Sequence, residues 1–449
     1  ADIGVSFERG NQFRLSFVFK GNFSNTKKLK KYDPPKKILR RNIDHQSEEL
    51  LIATLNELKK DGIFLQGGNF DSNSLDVSVS QIKFRNQSMA VGRTARVISG
   101  LTTDNLEEIN INIMNGDLET SSFSIPNLYL KKALVEDMSI NELAEKSVIK
   151  SKTGNQKYLI YDFKPKVNFP ESNWGMAPAL KHHVGGPEAF YLGQLWWKIN
   201  SNIKIKRKLT LSTVVGLDIY NNFDQLKNKS DSVLPHVRSD IQEYLKQGTT
   251  NIARLKLDYI WSPKDDWFAR LDLGLIEEMF GGVGGEILYR PFDSLVSFGI
   301  TGHYLKQREF KQRFGFRDYK VATGHFSSYI KLPKDILLQL HAGRYLAKDK
   351  GITFDISRRL DTGFRIGVFA TKTNISSAEF GEGSFNKGFY FHIPLDLFFT
   401  EYKSGSIDFS MQPLTRDGGA MLINHNSLYG IFGDTTRDSL KRDMKDMLK

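Results

Sequence analysis

Six large apolar side chains stand at consecutive odd positions, Phe389, Phe391, Ile393, Leu395, Leu397 and Phe399, with His392, Pro394 and Asp396 on the opposite face. A period of two is that of a β-strand, and a tilted strand needs about 9–11 residues to cross a bilayer. The pattern recurs where Leu255, Leu257 and Tyr259 alternate with Arg254, Lys256 and Asp258, and where Leu271, Leu273 and Leu275 alternate with Arg270, Asp272 and Gly274. Charges share one face. A soluble sandwich would solvate that face, so alternation alone leaves both architectures open.

The connections separate them. Tight polar turns are expected at Lys204–Lys208, Ser262–Asp266, Pro291–Ser294, Pro333–Asp335 and Arg359–Gly363. Longer links are expected between them at Tyr220–Thr250, Glu277–Gly285, His303–Lys320, Leu346–Gly351 and Lys372–Lys387. Short and long alternate, as in an up-and-down transmembrane antiparallel β-barrel with short periplasmic turns and long external loops. A Greek-key sandwich would need long crossovers in irregular order. The expected fold is therefore mostly β: a barrel over residues 158–424 with about 14 strands (range 12–16), even numbers being the rule. Trp196-Trp197, Trp261, Trp267 and Tyr289-Arg290 fall near strand ends, where aromatic girdles meet the membrane interfaces.

Before the barrel the chain changes character twice. Residues 1–25 read as a hairpin, with Val5 and Phe7 before Arg9-Gly10-Asn11 and Phe13, Leu15, Phe17 and Phe19 after it. Residues 26–41 carry eight cations against the single Asp33, a net +7 out of +12 for the whole chain, and contain Pro34-Pro35. That stretch reads as a solvated basic linker. Over 42–150 the period moves toward 3.6, predicting a small α/β domain. Its expected elements are a helix with Leu51, Leu55 and Leu58 on one stripe ending at Gly62, a strand at Val77 and Val79, a helix over Met89–Leu101, a strand at Ile109–Ile113 and a helix over Leu128–Lys146. Gly67-Gly68 and Gly116-Asp117 read as turns. Residues 435–449 predict a short charged helix outside the membrane. Because the domain enters the first strand from the side of the short turns, it is expected in the periplasm.

Length sets at least two folded units, since 449 residues exceed the roughly 250–300 at which one core stops growing. The absence of Cys removes disulfides, thiolate metal sites and cysteine nucleophiles. No apolar run of about 18 residues is present, which excludes a helical span but not a barrel. The chain starts at Ala1 without a leader, so any secretion signal is expected to have been removed or to lie outside this numbering.

A family resemblance follows from ordered blocks: Leu275-Ile276-Glu277-Glu278-Met279-Phe280-Gly281-Gly282-Val283-Gly284-Gly285-Glu286, Tyr289-Arg290-Pro291-Phe292, Gln312-Arg313-Phe314-Gly315 and Arg317-Asp318-Tyr319. Ala342-Gly343-Arg344-Tyr345-Leu346, Asp355-Ile356-Ser357-Arg358-Arg359 and Phe380-Gly381-Glu382-Gly383-Ser384-Phe385 continue them. Together, over roughly 165–399, they resemble the YjbH-type outer-membrane proteins of exopolysaccharide and group 4 capsule operons. The resemblance implies a bacterial outer-membrane protein that supports export or assembly of a surface polysaccharide without catalysis. It also implies a further barrel-forming region before the α/β domain, of which residues 1–25 would be the last hairpin. Implied partners are outer-membrane lipid and lipopolysaccharide, an anionic or neutral polysaccharide and other proteins of such operons, with no nucleic acid and no cofactor. It offers no catalytic residues.

Candidate site residues come from the charged and aromatic groups around the glycine-rich segment. Glu277, Glu278, Glu286, Arg290, Arg308, Arg313, Arg317 and Arg344, with Tyr304, Phe314 and Tyr319, are expected to brace the lumen by ion pairs or to contact sugar. Gly281–Gly285 lacks the Lys-Ser/Thr of a phosphate loop. The alternative reading is an outer-membrane barrel enzyme acting on lipid or polysaccharide, for which His303, His325 and Ser327 are the candidates, without an orienting acid in evidence. The sequence-adjacent carboxylates Asp265-Asp266 and Glu277-Glu278 do not suggest glycoside hydrolysis. His182-His183 reads as surface loop rather than metal site.

Overall fold

A computed structural model describes residues 2–8, 12–18, 31–36, 38, 41–44, 46–151, 161–184, 191–227, 230–412 and 416–449. Strands β1 (Asp2–Glu8) and β2 (Gln12–Val18) form an antiparallel pair of their own, with Val5 opposite Leu15 and Phe7 opposite Phe13. Much of the basic linker lies outside the described residues, but its described part is not a free tether. Lys31 Nζ donates to the Phe399 carbonyl at 2.7 Å, Tyr32 N to Thr400 O at 2.9 Å and Lys36 Nζ to Lys60 O at 2.8 Å. Burial raises the Asp33 carboxyl, yet its hydrogen bonds from Lys83 and the Tyr402 N–H outweigh this and leave it below the usual carboxylate range.

The α/β unit comprises α1 (Glu48–Lys59), β3 (Ile63–Phe70), β4 (Ser74–Gln81), α2 (Gln87–Leu101), β5 (Glu108–Asn115), β6 (Leu118–Pro126), α3 (Asn127–Leu134), α4 (Ile140–Lys146) and β7 (Val148–Ser151). Ser47 caps α1 by accepting the Glu49 N–H at 3.1 Å, and Asn86 caps α2 through Met89 N at 3.0 Å. The sheet runs β3-β4-β5-β6-β7, and only β4 and β5 are parallel, because α2 carries the chain across between them. Val77, Val79, Ile109, Ile111 and Ile113 are buried in one core with Leu50, Leu51 and Leu58. The single helix expected over 128–146 is two, interrupted where Glu136 takes φ +66°. Gly67-Gly68 is not a turn but lies within β3, where a Cβ on Gly67 would sit 2.1 Å from the Tyr161 ring.

Among the described residues the second sheet has thirteen strands in strict chain order, every neighbour antiparallel. They are β8 (Glu171–Val184), β9 (Tyr191–Lys206), β10 (Leu209–Asn221), β11 (Asn251–Lys264), β12 (Trp267–Leu275), β13 (Phe280–Tyr289), β14 (Val296–Arg308), β15 (Phe316–Leu332), β16 (Ile336–Arg344), β17 (Lys350–Arg359), β18 (Arg365–Thr373), β19 (Asn386–Pro394) and β20 (Ser406–Met411). The expected alternation of short turns and longer links holds in part: 207–208, 265–266 and 333–335 are short and 222–250 and 374–385 are long, but 276–279 is shorter than 290–295 and 345–349 is no longer than 360–364. The outermost strands, β8 and β20, are not hydrogen-bonded to each other among the described residues.

Alternation along these strands is inverted relative to a soluble sheet. On β12, Leu271 and Leu273 are 56% and 53% exposed, whereas Arg270 and Asp272 between them are 2% and 1% exposed. On β14, Phe298, Ile300 and Tyr304 are exposed while Ser297, His303 and Gln307 are buried. The polar face is the inner one.

Several expected boundaries move. Glu277–Gly285 is not one link: β13 begins at Phe280, and Gly281, Gly282, Gly284 and Gly285 stand in paired register against β12 and β14. A Cβ on Gly282 would meet Tyr304 O at 2.1 Å, so the glycines let neighbouring strands approach. The strand expected to reach Phe399 ends at Pro394, followed by a 3-10 turn, Leu395–Leu397. Asp396 consequently faces Arg85 of the α/β unit at 3.7 Å rather than the middle of a strand interior. His182 and His183 lie in β8, paired with Gly193 and Leu192, and not in a loop. The last strand stops at Met411, so residues 416–424 are not barrel wall.

The α/β unit sits at the end of the sheet that carries the short turns. Asp117, in the β5–β6 turn, accepts from Lys204 Nζ at 2.9 Å, and Arg85 donates to Thr362 O. At the opposite end the 222–250 link carries α5 (Ile241–Gln247), and the 374–385 link carries α6 (Ser377–Phe380).

In the 222–250 link, Asp240 lies 2.7 Å from His236 Nδ1 and 2.9 Å from Arg317 Nη1. Burial lowers the His236 pKa, but the Asp240 hydrogen bond and the Ser232 carbonyl prevail and raise it above its usual value. A raised folded-state pKa contributes stability that is complete below the unfolded value and is lost as pH rises through the folded one. NMR titration of His236 should show a midpoint above 6.5, the ordinary value. Asp240→Asn should bring that midpoint down, and an unchanged midpoint would remove the pair.

Candidate functional site

Burying charge on the inner face of a sheet demands partners, because an unpaired buried ion costs several kcal/mol. Here much of the partnership comes from the C-terminal segment 416–436, a strap that runs through the sheet interior from the link end to the turn end. At the link end the Asp417 carboxylate accepts the N–H groups of Val237, Arg238 and Ser239 at 2.8, 2.8 and 3.0 Å, and the Ser239 hydroxyl at 2.6 Å. Gly419 N donates to Asp349 at 2.7 Å. Glu277 is gripped by both terminal nitrogens of Arg238, at 2.6 and 3.0 Å, and accepts Ile423 N at 2.9 Å.

Midway, Lys256 Nζ donates to Asn424 Oδ1 at 2.8 Å and His425 O at 2.9 Å, and Arg270 donates to Asn426 O. Arg270 also reaches Glu286 at 2.9 Å, and Glu286 accepts Leu428 N at 3.0 Å. Helix α7 (Leu428–Phe432) then stacks its rings on the wall, Tyr429 on Tyr329 at 3.8 Å and Phe432 on Phe268 at 4.1 Å. At the turn end Lys331 Nζ holds Gly433 O, Thr436 Oγ1 and Ser439 Oγ at 2.8, 2.8 and 2.6 Å, and Arg290 donates to Thr435 O at 2.9 Å. Helix α8 (Arg437–Asp443) leaves the interior and docks on the α/β unit, where Leu440, Met444 and Met447 join its core. Gly92 of α2 admits this contact, since a Cβ there would meet Met447 O at 1.6 Å.

The residues singled out from sequence divide. Glu277, Glu286, Arg290 and Arg308 do point inward, where the chain's own groups occupy them. Arg308 donates to the carbonyls of Glu277, Ile252, Gln312 and Arg313, the longest at 3.0 Å, and so pins the 309–315 link. Glu278 pairs with Lys181 at 2.5 Å, Arg317 lies over the Phe310 ring at 4.3 Å, and Tyr319 OH donates to Leu346 O at 2.6 Å. Arg344, half-buried, ends β16, while Arg313 and Phe314 are exposed on their link. Tyr304 is a correction: as the neighbour of inward-facing His303 it points outward, 56% exposed, and does not belong to the lumen.

Sequence reasoning missed Arg238, Lys256, Arg270, Asp272, Lys331 and Asp417. The shared charged face of β11 and β12 was the available signal for three of them.

The enzyme candidates are not assembled as expected either. His303 Nε2 lies 3.1 Å from Asp272, an orienting acid that only strand pairing brings into view, and 3.3 Å from Asn424. Ser327 Oγ instead meets His341 Nδ1 at 2.8 Å, its direct neighbour across β15 and β16. His325 packs edge-on against Tyr345. These groups and the strap enclose a cavity of about 240 Å³. Within it, nucleophile and acid sit on different histidines.

Comparison with known proteins adds the lineage. The chain matches the family described as "Exopolysaccharide biosynthesis protein YbjH" (YjbH) over residues 1–434. It is 30% identical over 455 aligned residues to a protein of Escherichia coli K12 called "Uncharacterized lipoprotein YjbH", covering 97% of this chain and 63% of that protein. The chain thus spans under two thirds of that relative's length. Among solved structures, it is similar to an OmpT loop-deletion mutant from Vibrio cholerae (TM-score 0.26, 7% identity, 50% of this chain and 87% of that one). It is also similar to Salmonella typhi OmpF in complex with daunomycin (TM-score 0.29, 12% identity, 57% and 95%). Likeness at that level carries nothing further. The blocks read in the sequence and the match over nearly the whole chain agree: this chain belongs to the YjbH family of exopolysaccharide biosynthesis proteins.

Proposed function

We propose that the thirteen-stranded sheet is the wall of a β-barrel in the bacterial outer membrane, with the α/β unit in the periplasm. The protein would support export or assembly of a surface exopolysaccharide or capsule without chemistry on the polymer. One observation carries this reading: the inverted sheet. Leu271, Leu273, Val283, Ile300, Phe354 and Val368 all stand roughly half exposed, on strands β12, β13, β14, β17 and β18, while the charges between them are covered. An apolar surface of that extent suits lipid and would be a liability in water. Trp267 and Tyr289 pack at 4.9 Å beside the short turns, as do Tyr259 and Trp261 at 5.4 Å, which suits an interfacial girdle. Short turns face the periplasm in such barrels, so the α/β unit beside them takes that side. Unpaired strand edges are untenable in lipid. The free edges of β8 and β20 therefore meet each other or another strand in the membrane.

The strap bears on mechanism, because an interior crossed by the chain itself is not an open conduit. The role that fits is a closed unit that engages partners and polymer at its rims, with lipopolysaccharide around it and other proteins of the same pathway beside it.

A second reading, a barrel enzyme acting on lipid or polysaccharide, draws on the Ser327–His341 contact. That pair faces the strap and not the lipid. Joint replacement of Ser327, His341, His303 and His325 by Ala should leave surface polysaccharide unchanged in a folded protein. Deleting the chain should lower its amount and leave the repeat unit intact. Loss of export in the folded quadruple variant would favour the enzyme.

Leu273→Arg should cost roughly 2–4 kcal/mol of folding stability, the range for Arg at a bilayer midplane. Val233→Arg on the outer link should be nearly neutral, and heat-modifiable gel mobility reads both; equal effects would argue against a membrane belt. In planar bilayers the intact chain should be almost silent, and a chain ending after Gln412 should conduct. Equal currents would show that the strap does not block the interior.

A further inference from the structure

At the turn end a cleft of about 370 Å³ opens where three parts of the molecule meet: the β3–β4 edge and β5–β6 turn of the α/β unit, the inner wall of β9–β11, and the strap. That volume lies within the 300–1,000 Å³ usual for small-ligand sites. We propose that this cleft binds a short saccharide segment of the exported polymer, an inference that rests on the polysaccharide role proposed above.

The chemistry of the lining points there. Asn202 lines the cleft, its Oδ1 accepts the Ser212 hydroxyl at 2.9 Å, and its amide N–H groups make no hydrogen bond among the described residues. Gln66 donates through Nε2 to Ser80 at 3.0 Å, and its side-chain oxygen makes no hydrogen bond among the described residues. Thr210 and the Asn426 side chain, also on the lining, make no hydrogen bond among the described residues. Uncharged donors and acceptors therefore interleave, as sugar hydroxyls require. The charged groups of the lining, Asp117, Lys204, Lys208 and Asp258, balance one another, with Lys204 on Asp117 at 2.9 Å, the Lys208 N–H donating to Asp117 at 3.2 Å and Asp258 held by Lys256 at 3.0 Å, which disfavours a phosphate as the ligand. Ile82 and Ile431 add apolar patches that suit the C–H faces of a pyranose ring. An acyl chain would desolvate the amides without pairing them.

The placement is also economical. A segment held here touches the α/β unit, the wall and Asn426 of the strap at once, without entering the strap-filled interior.

The test uses the full chain in detergent micelles and fragments of two to six sugars cut from the exopolysaccharide of the strain that makes the protein. Calorimetry should show saturable binding to the intact chain, and Asn202→Ala with Gln66→Ala should weaken it at least tenfold at unchanged heat-modifiable mobility. Ile82→Trp, which fills the cleft from its exposed rim and removes no hydrogen-bonding group, should abolish it. No binding to the intact chain, or binding that survives both changes, overturns the proposal. Surface polysaccharide measured in a deletion strain keeps the two claims apart. If deletion lowers polysaccharide but the fragments do not bind, the cleft assignment fails and the export role stands. If deletion changes nothing, the export role fails first.

Discussion

The structure depends on one constraint, that charged side chains turned to the inside of a sheet must be answered there. Lys256, Arg270, Asp272, Glu286, Arg290 and Arg308 are each at most 3% exposed, and few have a single dedicated counter-ion. Their partners are largely backbone groups. Glu277 and Glu286 take N–H groups of the strap, Arg270 and Arg290 give to its carbonyls, and Arg308 gathers three carbonyls from the links and one from β11. Breaking one side of such a buried set costs more than the set contributes when whole. Strap and wall therefore answer each other's polar groups, which makes this interior a built one and not an unfilled channel.

That arrangement explains why some of the molecule was legible in the sequence and some was not. Leu271–Arg270 and Leu257–Lys256 alternation is a local property and gives the strands, while the brevity of turns such as 265–266 gives their antiparallel order. Thirteen strands among the described residues fall within the expected 12–16, and Pro394 ends β19 earlier than the period of two suggests. The apolar residues Leu395 and Leu397 keep the period of two into a 3-10 turn, where they no longer belong to a strand. Ser327 and His341 lie fourteen residues apart and meet only through the β15–β16 register, so no spacing rule reveals them. The strap was least visible of all. Its contacts are made by main-chain N–H and C=O groups, which every sequence carries, and its anchor Asp417 lies beside Gly418-Gly419, a combination that reads as a turn.

Geometry also joins the two folded units. The strap begins among the links at Asp417, ends in α8 on the face of α2, and is stacked on the wall at Phe268 and Tyr329 between. Leu118, at the start of β6, enters the same apolar cluster as Phe432, so the α/β unit closes the turn end against the strap itself. A displacement of the unit would pull on α8, and through it on the groups that fill the interior. The proposed engagement of polymer and partners at the rims would act on the interior through that construction.

The central claim, a strap seated inside the sheet while the protein is in its membrane, is open to direct measurement because the chain has no cysteine of its own. Phe268→Cys with Phe432→Cys places a thiol on the wall and one on the strap where the rings now stack at 4.1 Å. Oxidised in intact cells, the pair should form an intramolecular disulfide, seen as a reductant-sensitive link between the fragments after proteolysis between residues 268 and 432. Thiols that stay free in the membrane, or that bridge only after extraction into detergent, would contradict the account.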